Sequence, residues 1–101
     1  MPPRGIDIPR DKLAAFCRKW NVRELALFGS VVRDDFRPDS DVDVLVTFPE
    51  ESGVSLYDWV DMIEELKTIF GREVDLVDKT AIRNPFRRRR ILGEAEVIYA
   101  A

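Results

Sequence analysis

The sequence contains no histidine and only one cysteine, Cys17. Without histidine the chain has no Ser-His triad, lacks the usual general base and has few ligands for catalytic zinc. A lone cysteine excludes an internal disulfide and a cysteine-rich zinc site, and it suits a protein of the reducing cytoplasm. Any catalysis by this chain must therefore depend on carboxylates, cations or a bound metal.

Long apolar runs and a large net charge are also missing. No apolar stretch approaches the length of about 20 residues that spans a bilayer, and residues 1–4 do not resemble a secretory signal. The net charge of −3 gives no overall attraction to nucleic acid. The 101 residues, 46% apolar and 35% charged, predict one cytoplasmic domain over residues 1–101, with no membrane contact and with nucleic acid not its main ligand.

A glycine and a serine follow the first predicted strand. The apolar run Leu25–Phe28 is too short for an independent helix, and Gly29 allows a sharp turn and the close approach of a ligand. Ser30 caps a short helix that is predicted to extend to Asp35, and the free N–H groups of its first turn favour a phosphate. Arg33, one turn after Ser30, either reaches a triphosphate or is an ordinary solvated arginine.

Two aspartates begin the second predicted strand, Asp41–Phe48. Because side chains alternate along a strand, Asp41 and Asp43 point to one face and the valines to the other. Adjacent carboxylates repel each other, and Mg²⁺ typically binds through one or two carboxylates plus substrate phosphates. A glycine-serine turn or an Asp-x-Asp pair alone is usually structural. The two in this order, with Gly29 and Asp41 twelve positions apart, predict a phosphate-and-metal site.

Helices and strands alternate along the rest of the chain. Apolar residues at helical spacing predict a helix after Pro9, with Leu13 and Cys17 on its buried face, and a long helix over Ser55–Phe70. The apolar stripe of the long helix is predicted to be core and comprises Leu56, Trp59, Val60, Ile63, Leu66 and Phe70. The last predicted elements are a strand over Glu73–Asp78, a helix from Pro85 to Leu92 ended by Gly93, and an edge strand over Glu96–Tyr99. This alternation predicts a layered α/β fold, and the pattern alone favours a parallel sheet.

Four consecutive arginines, Arg87–Arg90, lie on the last predicted helix. A charged run of this kind is usually a solvated helix face. In a chain with a net negative charge it also forms a focused positive patch. The patch is therefore a candidate contact for an acidic partner surface, for RNA or for the phosphates of a nucleotide.

The segments Gly29-Ser30-Val31-Val32-Arg33 and Ser40-Asp41-Val42-Asp43 together resemble the signature of DNA polymerase β-type nucleotidyltransferases. In particular, the chain resembles the minimal nucleotidyltransferase (MNT) branch of that superfamily. The resemblance implies an α/β (α+β) fold with a four-stranded mixed sheet and helices mainly on one face. It also implies a third carboxylate on a strand beside the Asp-x-Asp strand. That position corresponds to Asp75, although composition alone does not separate Asp75 from Glu73 or Asp78.

The resemblance further implies a Mg²⁺-dependent enzyme that transfers AMP from ATP to a hydroxyl group and releases pyrophosphate. The residues implied for nucleotide binding are Gly29, Ser30 and Arg33, and those implied for catalysis and for a site with two metal ions are Asp41, Asp43 and Asp75. In phosphoryl transfer most of the rate comes from positioning and metal electrostatics.

Small members of this family often act as antitoxins beside a HEPN-type RNase toxin. The resemblance therefore implies that the acceptor is a tyrosine of such a toxin and that the two proteins form a hetero-oligomer. The positive patch of Arg87–Arg90 is a candidate contact for that partner. Two alternatives stay open. One is an antitoxin with a vestigial site that neutralises its toxin by binding alone, and the other is an aminoglycoside-type enzyme that modifies a small molecule. Three mutually repelling carboxylates cost stability without a metal, which favours an active site.

Overall fold

The structure, a computed structural model, describes residues 8–32, 40–49 and 53–101. Its helices are α1 (Arg10–Trp20), α2 (Leu56–Phe70) and α3 (Pro85–Glu94). Its strands are β1 (Glu24–Phe28), β2 (Val42–Thr47), β3 (Val74–Asp78) and β4 (Glu96–Ala100). Short 3₁₀ turns over Gly29–Val32 and Lys79–Ala81 follow β1 and β3. None of the helices in these ranges combines the length and apolar character needed to cross a bilayer.

The four strands form a mixed sheet in the order β3-β2-β1-β4. β1 runs antiparallel to β2 and to β4, whereas β2 and β3 are parallel. A parallel pair needs a long crossover connection, and α2 supplies it between β2 and β3. The mixed sheet and the edge position of β4 are confirmed. The parallel sheet that the pattern alone favoured is wrong, because the order of elements along a chain does not determine which strands become neighbours.

The alternation of side chains along the strands gives the sheet two apolar faces. On one face, Leu25, Leu27 and the valines of β2 pack against α1 and α2. On the opposite face, a smaller core joins β1 and β2 to Ile82 and to Ile91 of α3. Two of the three helices in the described part of the chain therefore lie on one face, as predicted. α3 is the exception, and it covers the face to which Asp43 points.

Specific end signals define α2 and α3. The Ser55 hydroxyl accepts a hydrogen bond from the Asp58 N–H at 3.1 Å, and the Asp58 carboxylate accepts one from the Ser55 N–H at 3.2 Å. Gly71 ends α2 with a left-handed φ of 68°. At the start of α3 the Asn84 side chain accepts hydrogen bonds from two backbone N–H groups of the first turn. The predicted starts and the predicted end at Gly71 are therefore confirmed.

The predicted end of α3 is wrong. The helix continues through Gly93 to Glu94. A glycine ends a helix when it adopts the left-handed conformation, as Gly71 does, and Gly93 does not adopt it. The two additional residues are important because Glu94 contacts the candidate site described below.

The predicted core stripe of α2 is only partly buried. Of the predicted residues, Leu66 is fully buried, whereas Leu56 and Val60 are 77% and 51% exposed. Met62, which the predicted stripe did not include, is fully buried as well. Helical spacing predicts which side chains share a face. Burial also needs an element that covers that face, and the first turns of α2 are not covered. The prediction that Leu56 and Val60 belong to the core is therefore wrong.

Candidate active site

Two aspartates lie side by side where β2 and β3 begin. Asp43 and Asp75 are direct partners in the parallel pairing of these strands. Paired residues point to the same face, and neighbouring strands are about 4.8 Å apart, so both carboxylates project toward α3 close to each other. Asp43 is half-buried and Asp75 is exposed. The structure thus brings together two of the three carboxylates that the resemblance implied.

The acidic residues on either side of Asp75 are engaged elsewhere. Glu73 precedes β3 and its carboxylate forms an ion pair with the Lys67 amine at 3.0 Å. The Asp78 carboxylate accepts a hydrogen bond from the Thr80 N–H at 2.9 Å and so caps the 3₁₀ turn that follows β3. Of these three acidic residues, Asp75 is the one that pairs with Asp43.

Gly29 connects β1 to the same corner of the sheet. Phe28, the last residue of β1, pairs with Asp43 across the antiparallel ladder. Gly29 has a φ of 74°, and a Cβ atom on it would lie 3.0 Å from Cγ of Asp43 and would overlap its Oδ2. Glycine is therefore needed both for the backbone conformation and for the close approach to Asp43. The Gly29 N–H donates a hydrogen bond to Oε1 of Glu94 at 3.1 Å.

The other predicted site residues are less central. Ser30 is half-buried in the 3₁₀ turn after β1, and Asp41 is exposed immediately before β2. Arg33 lies outside the described residues, and so does the predicted helix end at Asp35. The predicted short helix is described only as the turn Gly29–Val32.

A cavity of about 250 Å³ lies between this corner of the sheet and α3. Its lining residues are Phe28, Gly29, Asp43, Asp75, Arg87, Arg90, Ile91 and Glu94. The lining thus includes three carboxylates, two guanidinium groups and the backbone of a glycine whose N–H donates to one of those carboxylates. Groups that attract a cation and groups that attract an anion share one cavity, as the binding of a metal–nucleotide complex requires.

The four arginines of α3 occupy different positions. Arg87 and Arg90 are one helical turn apart and both line the cavity. Arg88 is half-buried, and its Nη1 donates a hydrogen bond to the Lys79 carbonyl oxygen at 2.8 Å. Arg89 is exposed. The four arginines therefore do not form one patch: two line the cavity, one binds the turn that precedes α3, and one lies on the surface.

The paired aspartates fit a Mg²⁺ ion that takes its other ligands from phosphate and water. Within residues 8–32, 40–49 and 53–101, no three histidine, cysteine, aspartate or glutamate side chains form a group that could hold a metal by themselves. Magnesium usually binds through one or two carboxylates plus substrate phosphates and water, so the pair Asp43 and Asp75 is sufficient on the protein side. The binding of two metal ions by Asp41, Asp43 and Asp75 stays a prediction.

A larger cavity of about 460 Å³ lies at the opposite ends of β2 and β3. It is lined by Phe48, Val54, Ser55, Leu56, Trp59 and Asp78. None of the predicted site residues lines it, and its one carboxylate already caps a turn. The smaller cavity is the candidate active site because Gly29, the paired aspartates and the two arginines all line it.

Glu94 is the part of the site that sequence reasoning missed. It lies four positions after Arg90 and seven after Arg87, so all three share one face of α3. This spacing was visible in the sequence. Because the helix was predicted to end at Gly93, Glu94 was placed outside it and was not predicted to share a face with Arg87 and Arg90.

The chain matches a known enzyme family over most of its length. Residues 10–98 match the family described as the nucleotidyltransferase domain. Protein adenylyltransferase MntA of Thermococcus cleftensis is 37% identical over 81 residues, which are 80% of this chain and 77% of that protein. A Methanocaldococcus jannaschii protein with the provisional name protein adenylyltransferase MJ1379 is 38% identical over 81 residues, which are 80% of this chain and 79% of that protein.

Solved structures share the fold. A structure provisionally described as a minimal nucleotidyltransferase has a TM-score of 0.71 and 33% identity, with 86% of each chain covered. A toxin–antitoxin structure with AMP-PNP has a TM-score of 0.73 at 17% identity and covers 93% of this chain and 75% of that one. A chain from the complex of a tri-AMPylated Shewanella oneidensis HEPN toxin with an MNT antitoxin has a TM-score of 0.63 at 16% identity, with 91% and 70% covered. The last two likenesses show the fold alone, but the match over residues 10–98 and the identity to the relatives show that this chain belongs to the nucleotidyltransferase domain family.

Proposed function

We propose that this chain transfers AMP from ATP to a hydroxyl group of a HEPN-type toxin and thereby acts as the antitoxin of that toxin. The observation that carries the proposal is the cavity in which Gly29, Asp43 and Asp75 meet. A relative that is 37% identical is named a protein adenylyltransferase. Chains of the same fold come from toxin–antitoxin complexes, one of which contains an AMPylated HEPN toxin. These similarities support a toxin as the acceptor.

In the proposed reaction the acceptor oxygen forms a bond to the α-phosphorus of ATP. The bond from that phosphorus to the bridging oxygen breaks, and pyrophosphate leaves. Asp43 and Asp75 would hold Mg²⁺ together with Asp41, and the exposed Asp75 would accept the proton of the attacking hydroxyl. Bound Mg²⁺ neutralises phosphate charge and lowers the pKa of the attacking hydroxyl.

The nucleotide is proposed to bind beside the turn after β1. Gly29 and Ser30 lie at the end of β1, and a glycine without a Cβ lets a phosphate approach the backbone. Their N–H and hydroxyl groups bind the β- and γ-phosphates, with Arg33 as a further contact. Most of the rate enhancement then comes from positioning and from electrostatic stabilisation, as in other phosphoryl transfers.

The proposed acceptor is a tyrosine of the toxin. A phenol has a pKa of about 10, so a tyrosine hydroxyl loses its proton more readily than a serine or threonine hydroxyl. The two proteins form a hetero-oligomer that presents this tyrosine to the cavity. Because ATP is the donor, we place the reaction in the cytoplasm.

The proposal is tested with the full chain, α-labelled ATP and Mg²⁺, with and without the HEPN-type product of a neighbouring gene. Intact mass should show AMP on the toxin, lost when its acceptor tyrosine is changed to phenylalanine. Asp43→Asn should abolish the transfer, whereas Asp61→Asn, which changes an exposed carboxylate of α2, should retain it. Transfer to an added aminoglycoside but never to the toxin would replace this proposal with the small-molecule reaction.

Neutralisation by binding alone is a second candidate function. It is favoured by exposed apolar side chains on the first two turns of α2, where Leu56, Tyr57 and Val60 are 77%, 84% and 51% exposed. Exposed apolar patches often mark protein–protein contacts. The double variant Asp41→Asn/Asp43→Asn separates the two functions in cells that express the toxin. Continued protection by this variant would show that AMP transfer is not the mechanism.

A further inference from the structure

Within the described ranges, the positive groups that line the candidate site come from α3, which the sequence motif does not include. Arg87 and Arg90 line the same cavity as Gly29, Asp43 and Asp75. Their spacing of three residues places both guanidinium groups on one face of the helix. Arg88 and Arg89 do not line the cavity. Arg88 donates a hydrogen bond to the Lys79 carbonyl oxygen instead. Because of their positions around the helix, only two of these four arginines line the candidate site.

A negatively charged group of the protein already lies against the backbone amide of the site. Oε1 of Glu94 accepts a hydrogen bond from the Gly29 N–H at 3.1 Å. The amide can therefore donate a hydrogen bond to an anionic oxygen, and the carboxylate occupies the place that a phosphate oxygen would take. Glu94 and Arg90 are four residues apart on the same helix face, so a displaced Glu94 carboxylate remains within reach of Arg90.

We propose that Arg87 and Arg90, together with the Gly29 amide, bind the polyphosphate tail of the nucleotide, which displaces the Glu94 carboxylate from that amide. This inference rests on the proposed function, because it names the residues that hold the ATP of that reaction. Guanidinium groups form bidentate, charge-assisted hydrogen bonds with phosphate. The negative charge of a triphosphate is compensated by two arginines. An acceptor such as a tyrosine is neutral and has no charge for the arginines to compensate.

The chemistry of the ligand gives a specific expectation for binding. ATP has β- and γ-phosphates and AMP has neither, so the two nucleotides separate contacts with the tail from contacts with the rest of the molecule. A charge-assisted hydrogen bond at a partly exposed site contributes about tenfold in affinity. Loss of Arg87 or Arg90 should therefore weaken ATP binding about tenfold and leave AMP binding nearly unchanged.

The experiment is a measurement of Kd for Mg·ATP and for AMP by titration calorimetry, with the full chain and without toxin. Arg87→Ala and Arg90→Ala should each raise the Kd for ATP about tenfold. Arg89→Ala is the matched control, because it removes the same charge from the exposed side of the same helix, and it should change the Kd less than about twofold. Glu94→Gln should lower the Kd for ATP, since it removes a like charge from the phosphate position.

Several outcomes would overturn the inference. If Arg87→Ala or Arg90→Ala weakened the binding of ATP and of AMP equally, the arginine would not contact the polyphosphate. If Arg89→Ala raised the Kd for ATP as much as these variants do, the effect would come from the net charge of the protein and not from a specific contact. Unchanged ATP binding combined with lost toxin binding would make Arg87 and Arg90 a partner surface. Thermal unfolding of each variant shows whether α3 is intact, and Arg90→Lys, which keeps the charge, should bind ATP with a Kd between those of the parent and Arg90→Ala.

The outcomes also separate this inference from the proposed function. If the parent chain binds ATP with the expected pattern but does not modify the toxin, the proposed acceptor is wrong and the polyphosphate site stands. If AMP transfer to the toxin occurs and the Kd for ATP does not depend on Arg87 or Arg90, the function stands and this inference is wrong. If the parent chain binds no ATP, both are overturned.

Discussion

Replacement of Gly29 by alanine should reduce activity far more than it reduces stability. Gly29 has a φ of 74°, and an L-residue in this left-handed region costs about 1–2 kcal/mol. For a domain of this size such a loss lowers Tm by about 5–10 °C. The new methyl group would also lie 3.0 Å from Cγ of Asp43 and overlap its Oδ2. The carboxylate must therefore move, and a displacement of about 1 Å in a catalytic group costs about 100-fold in rate.

Gly71→Ala is the matched control for this prediction. Gly71 has a φ of 68°, close to that of Gly29, but a Cβ on it would meet no atom within 4 Å. Both variants should lose similar stability in a thermal unfolding experiment. Only Gly29→Ala should also lose about 100-fold in the initial rate of pyrophosphate release with toxin and Mg·ATP. Equal activities of the two variants would show that the contact between Gly29 and Asp43 does not position the catalytic carboxylate.

Three further predictions concern the thiol, the core and the start of α3. Burial raises the pKa of Cys17 from 9.0 to about 12. Ellman's reagent should therefore react with Cys17 only in denaturant. Because the unfolded thiol loses its proton first, the free energy of unfolding should fall by up to about 1.4 kcal/mol per pH unit above the unfolded pKa and below the folded one, a dependence that Cys17→Ala removes. In urea titrations Leu66→Ala should cost about 2–5 kcal/mol, whereas Leu56→Ala, at an exposed position of the same helix, should change stability by less than about 0.5 kcal/mol. Asn84→Ala removes the side chain that caps α3 and should cost about 1 kcal/mol in the same titration, and no change would show that this cap does not stabilise the helix.

The residues around Gly29 and Asp43 could be predicted because their signals are local. A glycine after a short apolar strand indicates a turn, and alternation along β2 places Asp43 opposite the buried valines. The position of Asp75 required the family resemblance. Its pairing with Asp43 depends on β3 becoming the neighbour of β2, which is a property of the whole sheet.

The contribution of α3 could not be read from its composition. Four adjacent arginines are chemically identical, and only their angles around the helix distinguish Arg87 and Arg90 from Arg89. That angle is set by Ile91, which is buried against the small core on the α3 face of the sheet. The exposure of Leu56 could not be predicted for a similar reason. Helical spacing predicts which side chains share a face, but it does not predict which element covers that face.

The charges around the cavity explain how the fold tolerates the paired aspartates. Asp43 and Asp75 face each other on neighbouring strands, where like charges are unfavourable. Arg87 and Arg90 line the same cavity and offset that charge. Ile91, which follows Arg90 in α3, is 4% exposed and packs α3 against the sheet. Because this one apolar contact orients the helix, the residue that stabilises the small core also sets the positions of the charges at the site.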